Sequence, residues 1–171
     1  MRRYPAGVHV RFRRATNADC RIAQDVVDRA LRDYGLFIVL EHGDRDLVDL
    51  EAHYDARGGM FELLETADGE VVGVVGWRHA SDEIIELKKL YLTSGARGHG
   101  LGRRALDRVI DAARDRGARA IVLETATVLR DAVRLYTRTG FAPVEGDSAG
   151  SFATLSDQCD RAYRLELTAP A

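Results

Sequence analysis

The stretch Glu86-Leu87-Lys88-Lys89-Leu90-Tyr91-Leu92-Thr93-Ser94-Gly95-Ala96-Arg97-Gly98-His99-Gly100-Leu101-Gly102 changes character halfway along. Its first half continues from Ile84 as a strand, and its second half sets glycines at three alternate positions ahead of a helical pattern. From Leu101 to Arg116 the apolar residues Leu101, Ala105, Leu106, Val109, Ile110 and Ala113 recur with the spacing of one helix face, and Gly117 is the expected stop. Ala120 to Leu123 then reads as a short buried strand. A strand, a helix and a strand in that order predict a parallel crossover, because parallel neighbours need a long connection.

Upstream, Met60 to Thr66 and Val71 to Arg78 are two further strands joined at Asp68-Gly69, a hairpin signal, and a turn near Ala80 to Asp82 leads into the strand from Ile84 to Thr93. These three predict an antiparallel meander. Earlier still, Val8 to Arg13 alternates as a first strand, and Thr16 with Asp19 forms a capping-box variant. That box opens a helix whose stripe is Ile22, Val26, Val27, Ala30, Leu31 and Tyr34, closed by Gly35. A second helix is expected from about Asp44 to His53, with Leu47, Leu50 and Tyr54 on one face and Gly58-Gly59 beyond it. Downstream, Leu129 to Thr139 is a helix stopped by Gly140, and strands are expected near Phe141 to Val144 and Arg161 to Leu167. The fold class is therefore α/β: one domain over residues 1–171 with its core at about 8–167. Its sheet is mixed and mostly antiparallel, with about seven strands flanked by about four helices.

Three glycines at alternate positions turn the backbone tightly and leave N–H groups uncovered, and the helix behind them adds unpaired amides and the positive end of its dipole. Such a place holds a phosphate or pyrophosphate. It is not a P-loop, since no Gly-Lys-Ser/Thr follows, and it lacks the G-x-G-x-x-G spacing of a dinucleotide fold. A glycine-rich connection without a ligand is the plain alternative. Arg97, Arg103 and Arg104 weigh against that alternative, because cations at a helix N-terminus oppose its dipole unless an anion lies between.

Composition narrows the partners. Of 25 basic residues all but Lys88 and Lys89 are arginine, which genome composition explains for the most part. The formal net charge of −2 argues against the broad basic surface of a nucleic-acid binder and for a focused anion site. Cys20 and Cys159 stand alone, and the five histidines show no ligand spacing, so neither a disulfide framework nor a metal site is expected. The longest apolar runs are far shorter than a bilayer span, and no leader pattern is seen, so no membrane association and a cytoplasmic location are expected.

The run Glu86 to Thr93 followed by Ala96 to Gly102 resembles the strand and pyrophosphate loop of the GNAT superfamily (general control non-repressible-related N-acetyltransferases). Arg97, Gly100 and Gly102 meet its Q/R-x-x-G-x-G/A pattern. Leu123 to Ala126 and Ala132 to Phe141 are similar to its next strand and its A-x-x-L-Y-x-x-x-G-F helix end. One departure is Leu129, where many members carry an Asn that binds pantetheine.

The resemblance implies an acetyl-CoA-dependent transferase, an N-acyltransferase that moves an acetyl group to a primary amine of a small molecule or peptide by direct attack. The two strands would splay to admit acetyl-CoA as cosubstrate, with no metal. Pantetheine would pair with the main chain at Leu90, Tyr91 and Leu92, and the pyrophosphate would sit on Arg97, Gly98, His99, Gly100, Leu101 and Gly102, with Arg103 or Arg104 reaching a phosphate oxygen. The resemblance makes Tyr136 the proton donor to the leaving thiolate; read without it, Tyr136 is a core aromatic on the helix's apolar face with Leu129 and Val133. Glu86 is the leading base, with Glu124, Glu83 and His79 as alternates, although a salt-bridged carboxylate is an equal reading of Glu86. By the period of two, Glu86 and Lys88 share one strand face and Lys89 takes the other. The first two helices, the connection from Leu36 to Asp46 and the late strands would form the acceptor site. A homodimer across the last strand is a further expectation by analogy. A non-catalytic acyl-CoA-binding module, or a phosphate-binding regulator using the same loop, are the competing functions.

Overall fold

Residues 60 to 92 build the middle of the sheet because the apolar side chains of the strands there face one of two cores. The computed structural model describes residues 9–145 and 158–167; the expected strand start at Val8 lies outside them. Its strands are β1 (Val10–Arg14), β2 (Met60–Thr66), β3 (Val71–Ser81), β4 (Ile84–Leu92), β5 (Ala120–Thr125), β6 (Ala142–Val144) and β7 (Arg161–Glu166). They form one sheet in the order β1-β2-β3-β4-β5-β7-β6, antiparallel at every pairing except the parallel β4–β5. Neighbours such as Leu63 and Leu64, or Val74 and Val75, lie in opposite cores, as alternation requires. With both faces covered, the run from Val72 to Trp77 is buried without a polar break.

Helices α1 (Cys20–Arg32) and α2 (Leu50–His53) pack on one face, and α3 (Leu101–Asp115) and most of α4 (Arg130–Thr139) on the other. The glycine stops behave as read: Gly35, Gly117 and Gly140 all take positive φ at helix ends. Two readings need correction. The face of α1 turned to the core carries Ala23, fully buried, whereas Ile22 is 42% exposed. The expected helix over 44–53 is broken into a 3-10 turn at Arg45–Leu47 and the four-residue α2, although Leu47, Leu50 and Tyr54 are buried as expected. The β3 strand also runs beyond its expected end at Arg78 to Ser81, into the expected turn.

The start of α1 is held by Asp19. Its carboxylate accepts the Thr16 N–H at 3.0 Å and takes the two terminal guanidinium nitrogens of Arg13, at 2.8 and 3.1 Å. The Arg13 hydrogen bonds, against an opposing push from burial and with help from Thr16, hold the Asp19 carboxyl below the usual range. Asp19→Ala is expected to cost about 1–2 kcal/mol in urea unfolding at pH 7. The sign follows from a lowered folded-state pKa. Asp19's contribution is complete above the unfolded value of about 3.9 and is lost as pH falls through the folded value, so the difference between the two proteins should shrink in acid.

Candidate functional site

The parallel pairing of β4 with β5 is short: Ile84, Ile85 and Glu86 face Ala120, Ile121 and Val122, and nothing beyond Glu86 pairs across. Both strands continue, β4 to Leu92 beside β3 and β5 to Thr125 beside β7. They therefore splay, and a cleft of about 570 Å³ opens between them. Its wall takes in Leu90 to Leu92 of the unpaired β4 edge and every residue from Arg97 to Arg103 except His99. His99 belongs to the loop but not to the wall, so its expected part in cofactor binding finds no support in the geometry.

The loop ends in Gly100, which caps α3 at φ +76, and no side chain caps that helix. The Arg104 N–H donates to the Gly100 carbonyl at 3.1 Å; the amides ahead of Arg104 are the donors that a helix N-terminus leaves without intrahelical partners, and Gly100 to Arg103 line the cleft. The arginines divide their work differently from the sequence reading. Arg97 donates to the carbonyls of Leu92 and Ala30 at 3.1 and 3.2 Å, pairs with Asp33 at 3.0 Å and lies over the Tyr34 ring. It staples the end of β4 to the end of α1, and its guanidinium is committed to protein rather than to an anion. Arg104 lies over the Phe12 ring, away from the cleft. Arg103 does line the cleft, within an exposed pair to Asp107. Arg134 and Arg138, one turn apart on the exposed side of α4, also reach the cleft wall, which the sequence reading missed.

Tyr136 sits at the junction of the core and the cleft. It is packed in the core, its ring centroid 5.7 Å from that of Phe141, and it lines the cleft. Burial, with smaller contributions from Tyr91 and Cys159, pushes its phenol well above the ordinary tyrosine range, so it stays protonated and able to donate. Tyr91, on the neighbouring strand, is pushed up to about 12 by burial against the opposing charge of Lys89.

Beyond the cleft lies a second cavity of about 60 Å³, which shares Leu87, Lys88, Tyr91, Glu124 and Leu129 with it. Its position depends on an irregularity in β4. Gly76 of β3 pairs with Lys89 and the next residue, Trp77, pairs with Leu87, so Lys88 is an extra residue, a β-bulge. The bulge resets the alternation: Ile85, Leu87, Leu90 and Leu92 face the α3 core, while Lys89 and Tyr91 share the opposite face with Glu86. The expectation that Lys89 takes the face opposite Glu86 is thus overturned, whereas Lys88 stays within reach of Glu86 as expected.

Glu86 is buried, bonded to Arg78 at 2.7 Å and 4.0 Å from the Lys88 ammonium. It lines the smaller cavity and not the cleft; Glu124 lines both. Lys89 is fully buried between Asp44 at 2.9 Å and Asp46 at 3.2 Å. Asp44 in turn accepts the Val39 N–H at 2.9 Å, so the connection after α1 is anchored against β4. Among the described residues no group of His, Cys, Asp and Glu could hold a metal ion, and no helix is long and apolar enough to cross a membrane.

Comparisons with known proteins meet this architecture from outside. The sequence model of the Acetyltransferase (GNAT) family matches residues 24–141. The "Probable N-acetyltransferase camello" of Xenopus tropicalis is 36% identical over 100 residues, 57% of this chain and 45% of that protein. This chain thus spans about half the length of that relative. The "Uncharacterized N-acetyltransferase YjgM" of Escherichia coli K12 is 29% identical over 139 residues, 78% of this chain and 83% of that one. An acetyltransferase of the GNAT family from Staphylococcus aureus Mu50 superposes with a TM-score of 0.86 at 21% identity, covering 94% of this chain and 100% of that one. The yncA structure from Salmonella typhimurium, which contains its cofactor acetyl-CoA, gives 0.68 at 22% identity, covering 95% and 96%. At those identities the structural likeness shows the fold.

Proposed function

This chain belongs to the acetyltransferase (GNAT) family, and on that premise we propose that it transfers the acetyl group of acetyl-CoA to a primary amine by direct attack. The observation that carries the reading is the splay of β4 from β5, which leaves a main-chain edge, a row of helix-end amides and a buried phenol on one cleft. The β4 edge from Leu90 to Leu92 pairs with the pantetheine arm as an added strand would. The amides from Gly98 to Gly102 take the pyrophosphate, with Arg103 at the rim.

Three tasks fall to side and main chains. Glu124 borders both cavities, so it receives the amine's proton, directly or through water, with Glu86 the second carboxylate of the acceptor chamber. A β4 N–H between Leu90 and Leu92 donates to the oxygen of the tetrahedral intermediate. Tyr136 donates to the sulfur as the C–S bond breaks; the thiolate develops in the same apolar cleft that disfavours the phenolate, so both anions are raised together.

The reading is tested by incubating the protein with acetyl-CoA and an amine library and detecting acetylated products by mass. Product formation is the expected result. Coenzyme A binding without transfer to any amine would instead mark a binding module.

The loop geometry gives a separate expectation. A Cβ at Gly100 meets nothing within 4 Å, so Gly100→Ala is penalised only through its positive φ, by about 1–2 kcal/mol. The loop should relax away from its amide-presenting shape. Calorimetry is expected to show coenzyme A affinity falling by roughly tenfold, with the melting temperature lowered by only a few degrees.

A further inference from the structure

The cofactor cleft carries a cross-link that the transfer chemistry does not use. Beyond Glu86 the strands β4 and β5 no longer pair, and their far ends carry the two walls of the cleft. Tyr34, just past α1, donates its hydroxyl to Asp131 in the first turn of α4 at 3.1 Å. The two residues are 97 positions apart in the chain, and both line the cleft.

The β4 side of this pair is firmly held. Arg97 lies 5.0 Å from the centre of the Tyr34 ring, and the same guanidinium donates to the carbonyls of Leu92, at the end of β4, and Ala30, in α1. Tyr34 therefore stands where the β4 edge meets the glycine loop. Asp131 belongs to the other wall, at the head of the helix that follows β5. A second contact runs the same way at Phe37. Its N–H donates to the Gln158 side-chain oxygen at 3.3 Å, and the Gln158 amide nitrogen donates to the Phe37 carbonyl at 2.7 Å. Gln158 precedes β7, the neighbour of β5. Residues 34 to 37 are thus joined to the β4 side through Arg97 and to the β5 side through Asp131 and Gln158. Burial, opposed by Arg97 and helped by the Asp131 hydrogen bond, holds the Tyr34 phenol above the ordinary tyrosine range, so it is a donor at neutral pH.

On the transferase reading, on which this assignment rests, the coenzyme A arm pairs with Leu90 to Leu92 and the pyrophosphate sits on the loop. The Tyr34–Asp131 pair then crosses the cleft beside the junction of the two. We propose that Tyr34 and Asp131 form a latch between the walls of the cofactor cleft, which parts each time coenzyme A or its acetyl thioester enters or leaves. Sideways docking aligns the amides of the arm with β4 in one step. Sliding the arm lengthwise would carry those amides past the apolar side chains of Leu87, Leu129 and Leu135. A latch that parts in both directions slows entry and exit alike, so it sets the rate of exchange more than the affinity.

Surface plasmon resonance, with the protein immobilised and coenzyme A in flow, gives both rate constants without an acceptor. Tyr34→Phe keeps the ring beneath Arg97 and loses only the donor. It is expected to raise the association and dissociation constants together by about fivefold, within the range for one hydrogen bond, and to leave Kd within about twofold. Asp131→Ala should do the same. Asp131→Asn removes the charge but keeps an oxygen that accepts the Tyr34 O–H, so its rates should stay within about twofold of native. That comparison separates the latch from simple repulsion between Asp131 and an anionic cofactor. Adding Gln158→Ala to Tyr34→Phe releases the second contact and is expected to raise both constants further. Unchanged rates in Tyr34→Phe would overturn the inference, as would Asp131→Asn behaving like Asp131→Ala, or a change confined to one rate constant. If exchange responds as expected while no amine is acetylated, the transferase reading falls and the latch stands. If amines are acetylated and the variants leave exchange unmoved, the reverse holds. Absence of coenzyme A binding by the native protein would overturn both.

Discussion

Replacing Tyr136 by Phe is expected to lower kcat by about 10²-fold, the range for a single proton donor, while coenzyme A affinity stays within about twofold. The substitution deletes one oxygen and keeps the ring, which is packed into the core and against Phe141, so the cleft wall should hold its shape. The β4 edge and the loop amides, which account for cofactor binding in the proposal, are untouched. Burial keeps the phenol protonated across the neutral and mildly alkaline range, so the loss should be the same at pH 7 and pH 9, with no alkaline limb in the native enzyme that the variant removes. Steady-state kinetics at both pH values, with calorimetric coenzyme A binding, decide the matter. An unchanged kcat would take Tyr136 out of the chemistry and leave it as a core residue.

Much of this arrangement was legible because it is local. Periodicity placed β2 with the observed bounds, Met60–Thr66, and glycines at positive φ ended the helices where expected. The crossover from β4 through α3 to β5 follows from connection length alone. The departures share one cause, which is that tertiary partners are invisible to spacing. Leu87-Lys88-Lys89-Leu90 carries no mark of a bulge, and a period of two applied across it puts Lys89 on the wrong face. Ile22 looks more apolar than Ala23, yet the helix turns the smaller residue inward, where close packing leaves little room. Arg97 reads as an anion ligand because its true partners, the carbonyl of Ala30 and the carboxylate of Asp33, are more than sixty positions away. Arg134 and Arg138 read as a solvated helix face, and only the packing of α4 beside the start of α3 turns that face into a cleft wall.

The bulge also creates a buried ion cluster. By returning Lys89 to the α1 face, it places a fully buried ammonium between Asp44 and Asp46, with the Tyr54 hydroxyl donating to Asp46. Lys89→Met keeps most of the volume and removes the charge, which leaves two carboxylates buried together. The expected cost is about 3–5 kcal/mol at pH 7, the range for breaking a buried pair by removing one partner. Its pH dependence distinguishes this cause from simple packing loss. In the native protein, burial pushes the Asp46 carboxyl up, but Lys89 and the Tyr54 hydrogen bond outweigh it and the net shift is downward. Its contribution is therefore present above the unfolded value of about 3.9 and lost only as pH falls through a still lower folded value. Without Lys89, the largest of the lowering influences, burial is opposed only by the Tyr54 hydrogen bond and by Lys88; the folded-state value is expected to rise above the unfolded one, so the sign reverses and the variant gains relative stability as pH falls. Urea unfolding of both proteins from pH 7 to pH 5 should show the gap narrowing steadily. A gap independent of pH would mean that the lost methylene contacts, and not the stranded carboxylates, set the cost. Because Asp44 also holds the Val39 N–H, the variant should lose acceptor-side affinity before cofactor affinity, since the anchored connection borders the chamber and the loop amides lie on the far side of β4 from it.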